Sequence, residues 1–183
     1  MASERDFPLA PWGKSAWIIT LACVGGLVAL AGWFFYRGAT HGPTPGGAVI
    51  SFVIGGALLV LLLLLLAFAP RKYVVTPSGL VISRLGPKVR IGFEQMESVE
   101  LVTDPAMLRG VIRVMGVGGA FGWYGRFWGR KLGAFHAYIV RTDGLALIRR
   151  KKDDPVLLSP RDPAGFVEQV KKQMAENGIR RRE

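Results

Sequence analysis

The stretch "ALLVLLLLLLAFAPRKYVVTPSGLVI", Ala57 to Ile82, joins two kinds of chain. Up to Ala69 it is apolar with no polar stripe, unlike the amphipathic helix of a soluble core. From Arg71 it turns basic and breaks into short apolar runs separated by turn residues, as strands do. Upstream, the first half belongs to a run from Ala48 to Ala69. An earlier run, "AWIITLACVGGLVALAGWFFY", spans Ala16 to Tyr36. Neither run contains a charged residue, and each reaches the roughly 20 residues that cross a hydrocarbon core of about 30 Å. Lipid offers no partners to backbone polar groups, so both runs are expected to be helices.

"ALAG" at Ala29–Gly32 resembles a signal-peptide cleavage site. However, Glu4 and Asp6 precede the run, and Trp33, Phe34, Phe35 and Tyr36 continue it as an interfacial aromatic belt. A retained helix is the better reading. Arg71, Lys72, Arg84, Lys88 and Arg90 follow the second run, whereas the loop "RGATHGPTPGG" between the runs carries only Arg37 as a fixed positive charge. The positive-inside rule then places both termini in the cytoplasm. The expected divisions are a cytoplasmic segment 1–15, a first helix 16–36, an outer loop 37–47, a second helix 48–69, a cytoplasmic domain 70–176 and a basic tail 177–183.

In the cytoplasmic part, "KYVVTPSGLVISRLGPKVRIGF" predicts strands at Tyr73–Thr76, Leu80–Arg84 and Lys88–Phe93, with turns at "TPSG" and "LGPK". "MESVELV" adds a strand or a helical turn, and Asp104-Pro105 interrupts the pattern. "LGAFHAYIVRTDGLALIRR" reads as a hairpin closed by Asp143-Gly144, and "PVLLS" closes the β region. "RDPAGFVEQVKKQM" predicts a helix with Asp162 as N-cap and Pro163 at the first helical position. Phe166, Val167, Val170 and Met174 would form its apolar face, covering an open end of the sheet.

Four pieces carry a resemblance: "YVVTPSGLVI", "MESVELV", "GVGGAFGWYGRFWGRKLGAFHAYIV" and "LLSPRDPAGFVEQV". Together they resemble the bacterial pleckstrin-homology-like (PH-like) domains of small membrane proteins, over about Arg71 to Met174. The resemblance implies an α+β fold: two transmembrane helices, then a seven-stranded, strongly bent antiparallel β-sandwich or barrel capped by a C-terminal α-helix. It also implies a bacterial inner-membrane location and a binding or scaffolding role, with no known activity attached.

The glycine-rich run Gly116–Gly133 fits no nucleotide loop, because Phe121 stands where G-x-G-x-x-G needs glycine and no G-K-[ST] occurs. Its glycines read as bends and close strand crossings. Within it, aromatics alternate with cations, a mixture suited to a membrane interface. Trp123, Tyr124, Arg126, Trp128, Arg130 and Lys131 are therefore the candidate contacts with lipid headgroups or a membrane partner. "RRKKDD", Arg149–Asp154, reads as a solvated loop.

Catalytic signals are poor. His136 stands alone in a strand and His41 in the outer loop; Ser159 has no neighbouring base; Asp153-Asp154 sit among cations. Cys23, the single cysteine, founds neither a disulfide nor a metal cluster. No enzymatic activity, metal or cofactor is expected. The net charge of +11 belongs beside an anionic leaflet rather than nucleic acid, for which no recognition motif occurs. The function expected is a non-catalytic adaptor for a protein partner at the cytoplasmic membrane face. The alternatives are an anionic-lipid headgroup sensor and an accessory subunit of a transport or envelope complex, packed through Gly25, Gly26, Gly55 and Gly56.

Overall fold

The computed structural model describes residues 4–40, 45–119 and 121–180. His41 and the rest of 41–44, Ala120 and the tail residues 181–183 lie outside these.

The two apolar runs form helices α1 (Lys14–Thr40) and α2 (Pro45–Phe68), which pack as a hairpin. Both are long and apolar enough to cross a membrane, and only 11% of each apolar stretch is buried. A soluble core helix would be mostly covered; these present Ile18, Leu21, Val53 and Leu63 outward. Each helix exceeds its expected span and takes up most of the expected outer loop. Of the four glycines expected to pack closely, only Gly55 meets the partner helix, against Phe35. Gly25, Gly26 and Gly56 have nothing within 4 Å of a modest side chain.

Ten strands and one further helix build the rest of the described residues. A four-stranded sheet has the order β1 (Arg5–Pro8), β2 (Pro70–Thr76), β3 (Gly79–Arg84), β4 (Val89–Gly92). The second sheet draws on β5 (Met96–Val102), β6 (Ile112–Gly119), β7 (Gly122–Gly129), β8 (Gly133–Ile139), β9 (Leu145–Arg150) and β10 (Val156–Leu158). Its order is β5-β9-β10-β8-β7-β6. The helix α3 (Pro163–Arg180) follows.

Three features differ from the sequence reading. First, the described strands form two sheets of four and six strands, more than the seven expected and not closed into a barrel, and β10 runs parallel to β8. Second, β8 and β9 are not a hairpin. β10 lies between them, antiparallel to β9, so the "KKDD" loop makes the actual turn. "VLL" is buried at all three positions, as a central strand must be. Residues 140–144 then only have to cross two strand spacings, about 10 Å, well within the reach of five residues. Arg150 pins the turn through Nε to the Asp154 carbonyl at 2.6 Å. Third, Arg5–Pro8 is a strand of the domain, paired in register Arg5 to Val75 and Pro8 to Lys72, with Phe7 buried. The chain before α1 and the chain after α2 thus belong to one sheet, so both emerge on the same side of any bilayer the helices cross.

The main core lies between the sheets. Tyr73, Leu80, Ile82 and Ile91 meet Met96, Val99, Ile148 and Leu158, and α3 closes the open end with Phe166, Val167 and Val170. Phe166 sits edge-on to Phe7 at 5.2 Å and near Tyr73 at 6.1 Å. Asp162 caps α3 by accepting from the Gly165 amide at 2.9 Å. The helix runs on into the expected tail as far as Arg180, and the Asn177 side chain donates to the Pro77 carbonyl at 3.0 Å, tying that turn to the β2–β3 loop. A second apolar cluster, with Phe127, Phe135, Ile139, Leu147 and Leu157, fills the outer face of the six-stranded sheet under Met107 and Leu108.

Candidate functional site

Strand β7 carries the run of aromatics and cations, and its pleat decides where each goes. Successive side chains of a strand point to opposite faces. Trp123 and Phe127 share the outer face, where Phe127 stacks between Trp123 and Phe135 at 5.4 and 5.9 Å. Tyr124, Arg126 and Trp128 share the other face. Tyr124 is buried there and donates its hydroxyl to the Leu65 carbonyl of α2 at 2.8 Å. Arg126 is exposed and pairs with Asp154 at 2.8 Å. Trp128 is 44% exposed. Arg130 and Lys131 lie in the β7–β8 turn, exposed, and Lys131 pairs with Asp104 at 3.0 Å. The six residues therefore do not make one continuous surface: Trp123 packs in the second core and Tyr124 binds a helix.

Where the β6–β7 hairpin turns, it is fastened to α1. The Phe121 amide donates to Thr20 Oγ1 at 2.9 Å, and the bond is buried. Phe121 has φ of 61°, a region costly for a residue with a bulky side chain, and its ring is held against Trp12 at 6.1 Å. Together with Tyr124–Leu65, this bond makes the domain a body docked on the helices rather than one swinging from a tether. Replacing Thr20 by Val leaves the Phe121 amide buried and unpartnered, an expected loss of about 1–3 kcal/mol. Amide hydrogen exchange in the full-length chain should then rise around residues 117–124 and stay unchanged in β9.

Between α2 and the Tyr124 face of the sheet lies a cleft of about 520 Å³. Leu64, Leu65, Phe68, Met115, Val117 and Tyr124 give it apolar walls, and Arg84, Arg126, His136 and Tyr138 bring polar groups to it. Arg84 lies over the Phe68 ring at 5.1 Å and uses its Nε on the Pro87 carbonyl. Sequence reasoning missed Leu64, Phe68 and Arg84, because three separate segments meet only after folding. Partial burial and, next, the positive charge of Arg150 hold the His136 pKa below its ordinary value. Asp154 opposes that shift, Arg126 adds to it, and Asp153 opposes it. The unfolded chain thus takes up the proton first. The stability from keeping His136 neutral is present in full above about pH 6.5 and is lost as pH falls through the lower folded value. Denaturation of the wild type should accordingly show a steeper loss between pH 7.5 and 5.5 than the His136→Gln variant.

Ser159 is explained by packing. Its Oγ accepts from the Val140 amide at 2.9 Å and its own amide donates to the Tyr73 hydroxyl at 3.2 Å. Tyr73 in turn donates to the Tyr138 carbonyl at 2.5 Å, linking the two sheets. Burial pushes the Tyr73 phenol up to about 12, so it remains a neutral donor. Among the described residues, no group of three or more His, Cys, Asp or Glu side chains could hold a metal ion.

This arrangement of strands closed by a C-terminal helix is that expected of a PH-like domain. Residues 71–174, more than half of the chain, match the bacterial PH domain family, and the chain belongs to it. No curated protein and no solved structure matches the chain. The family match begins at Arg71, so it does not include β1, although that strand completes the first sheet.

Proposed function

We propose that the chain is a non-catalytic adaptor. In this reading α1 and α2 cross the bacterial cytoplasmic membrane with both termini inside, and the PH-like domain offers a protein partner the open edge of its six-stranded sheet. The observation that carries the reading is β6. It is the last strand of its sheet, and Ile112, Val114 and Met115 are 61%, 59% and 75% exposed. An open edge bearing apolar side chains is a template for a strand from another chain. The orientation is supported by the cations clustered after α2.

The accessory-subunit reading has one observation in its favour: Gly25, Gly26 and Gly56 leave open, small-residue patches on the helices where another membrane helix could pack closely.

A photo-crosslinking residue placed at Val114 of the full-length chain in cells tests the adaptor reading. A discrete protein adduct is expected at 114 and not at Lys172 on α3. It should disappear with Val114→Pro in a chain crosslinked from Ile112. Val114 sits where the β6–β7 register shifts between Arg113 and Met115, and proline there puts a residue with no backbone N–H into the open edge strand. Identical adducts at 114 and 172, or none at 114, would overturn the reading.

A further inference from the structure

The helices set a depth for the domain. Thr20, which holds the β6–β7 turn, is twenty residues from the end of α1 at Thr40. Leu65, which holds Tyr124, is twenty residues from the start of α2 at Pro45. At 1.5 Å per residue each distance is about 30 Å, the thickness of one hydrocarbon core. With Thr40 and Pro45 at the far interface of the membrane placement proposed above, both fastening points fall at the level where acyl chains give way to headgroups on the domain side. The cleft opens at that level.

We infer that this cleft holds one anionic phospholipid of the leaflet facing the domain, with acyl chain against Leu64, Phe68 and Met115 and phosphate on Arg84 and Arg126. The inference rests on the membrane placement proposed above and shares only Met115 with the partner edge on β6. Three observations select this occupant over a soluble metabolite or a peptide. The volume suits a ligand-sized group, and the walls facing α2 are apolar side chains continuous with the surface of a bilayer-crossing helix. The polar groups lining the cleft include two guanidinium groups, the side chains best matched to phosphate. Each spends its Nε on a protein partner, while the Nη groups have no hydrogen-bond partner among the described residues. Asp154 neutralises part of Arg126, so Arg84 is the stronger anchor. A cationic side chain at a leaflet surface favours an anionic lipid several-fold, and two acting together about tenfold or more.

The experiment uses the full-length chain reconstituted into liposomes that mix phosphatidylglycerol with phosphatidylcholine, then extracted gently for native mass spectrometry. One retained phosphatidylglycerol per chain is expected, favoured about tenfold over phosphatidylcholine. Arg84→Gln with Arg126→Gln should abolish the preference, whereas Lys172→Gln should leave it intact. Met115→Glu gives a second route, since it places a negative charge on the cleft wall at an exposed position that folding does not depend on; it should lower retention about tenfold. Retention without headgroup preference, or a preference unmoved by both variants, would overturn the inference while leaving the membrane placement standing. A chain that failed to float with the liposomes after an alkaline wash would overturn both.

Discussion

Gly125→Ala is expected to prevent the β6–β7 hairpin from forming and to leave the full-length chain unable to fold. Gly116 and Gly125 face each other in register, with φ of +125° and +126°. A methyl group on Gly125 would lie 2.3 Å from the Met115 carbonyl oxygen, and one on Gly116 equally close to that of Tyr124. Neither the backbone angle nor the space admits a side chain, and the atoms in the way are main-chain atoms that cannot swing aside. The cost should exceed about 4 kcal/mol, a large share of the roughly 5–15 kcal/mol that holds a domain folded. Gly118→Ala is the control, because its methyl would meet only the edge of Phe127 at 3.6 Å, an ordinary contact. Near-ultraviolet circular dichroism and denaturant unfolding should show native behaviour for Gly118→Ala and none for Gly125→Ala.

Phe166→Ala is the second large effect, at about 3–5 kcal/mol. Phe166 is fully buried where α3, β1 and β2 meet, so its removal opens a cavity at the end of the sandwich. Because Phe7 is its edge-on neighbour, the two should not be independent: a double-mutant cycle with Phe7→Ala should give a coupling of about 0.5–1.5 kcal/mol. Urea midpoints of the two single variants and the double variant measure it. A coupling of zero would mean that β1 does not contribute its ring to the domain core.

Local chemistry made the helices and most strands legible. Uninterrupted apolar runs mark α1 and α2, Asp162-Pro163 marks the start of α3, and alternating Val89 and Ile91 mark β4. Long-range pairing was not legible. Asp143-Gly144 is a strong hairpin signal, yet β10 enters between the strands it was expected to join, because a three-residue apolar strand gains more from two neighbours than from an edge. Arg5–Pro8 is too short, and too polar around Phe7, to declare itself as a strand; only the register with β2 reveals it.

The candidate site was half legible. Tyr124 and Arg126 line the cleft between the sheet and α2. The sequence grouped the candidates wrongly because aromatic and cationic residues adjacent in sequence fall on opposite faces of β7, and Trp123 goes with Phe127 into the second core. Arg84 and Phe68 could not be joined to them before the fold was known, being forty or more residues away.

In the proposed placement the PH-like domain is seated against the bilayer, with its β6–β7 hairpin at headgroup depth. Spin labels at Met115 and at Lys172, in a full-length Cys23→Ala chain reconstituted in lipid, test it most directly. The Met115 label should be relaxed more strongly by oxygen than by an aqueous nickel chelate, with the reverse at Lys172, which is exposed on α3. If both labels met the aqueous reagent equally, the domain would stand clear of the membrane and the proposed seating would fall.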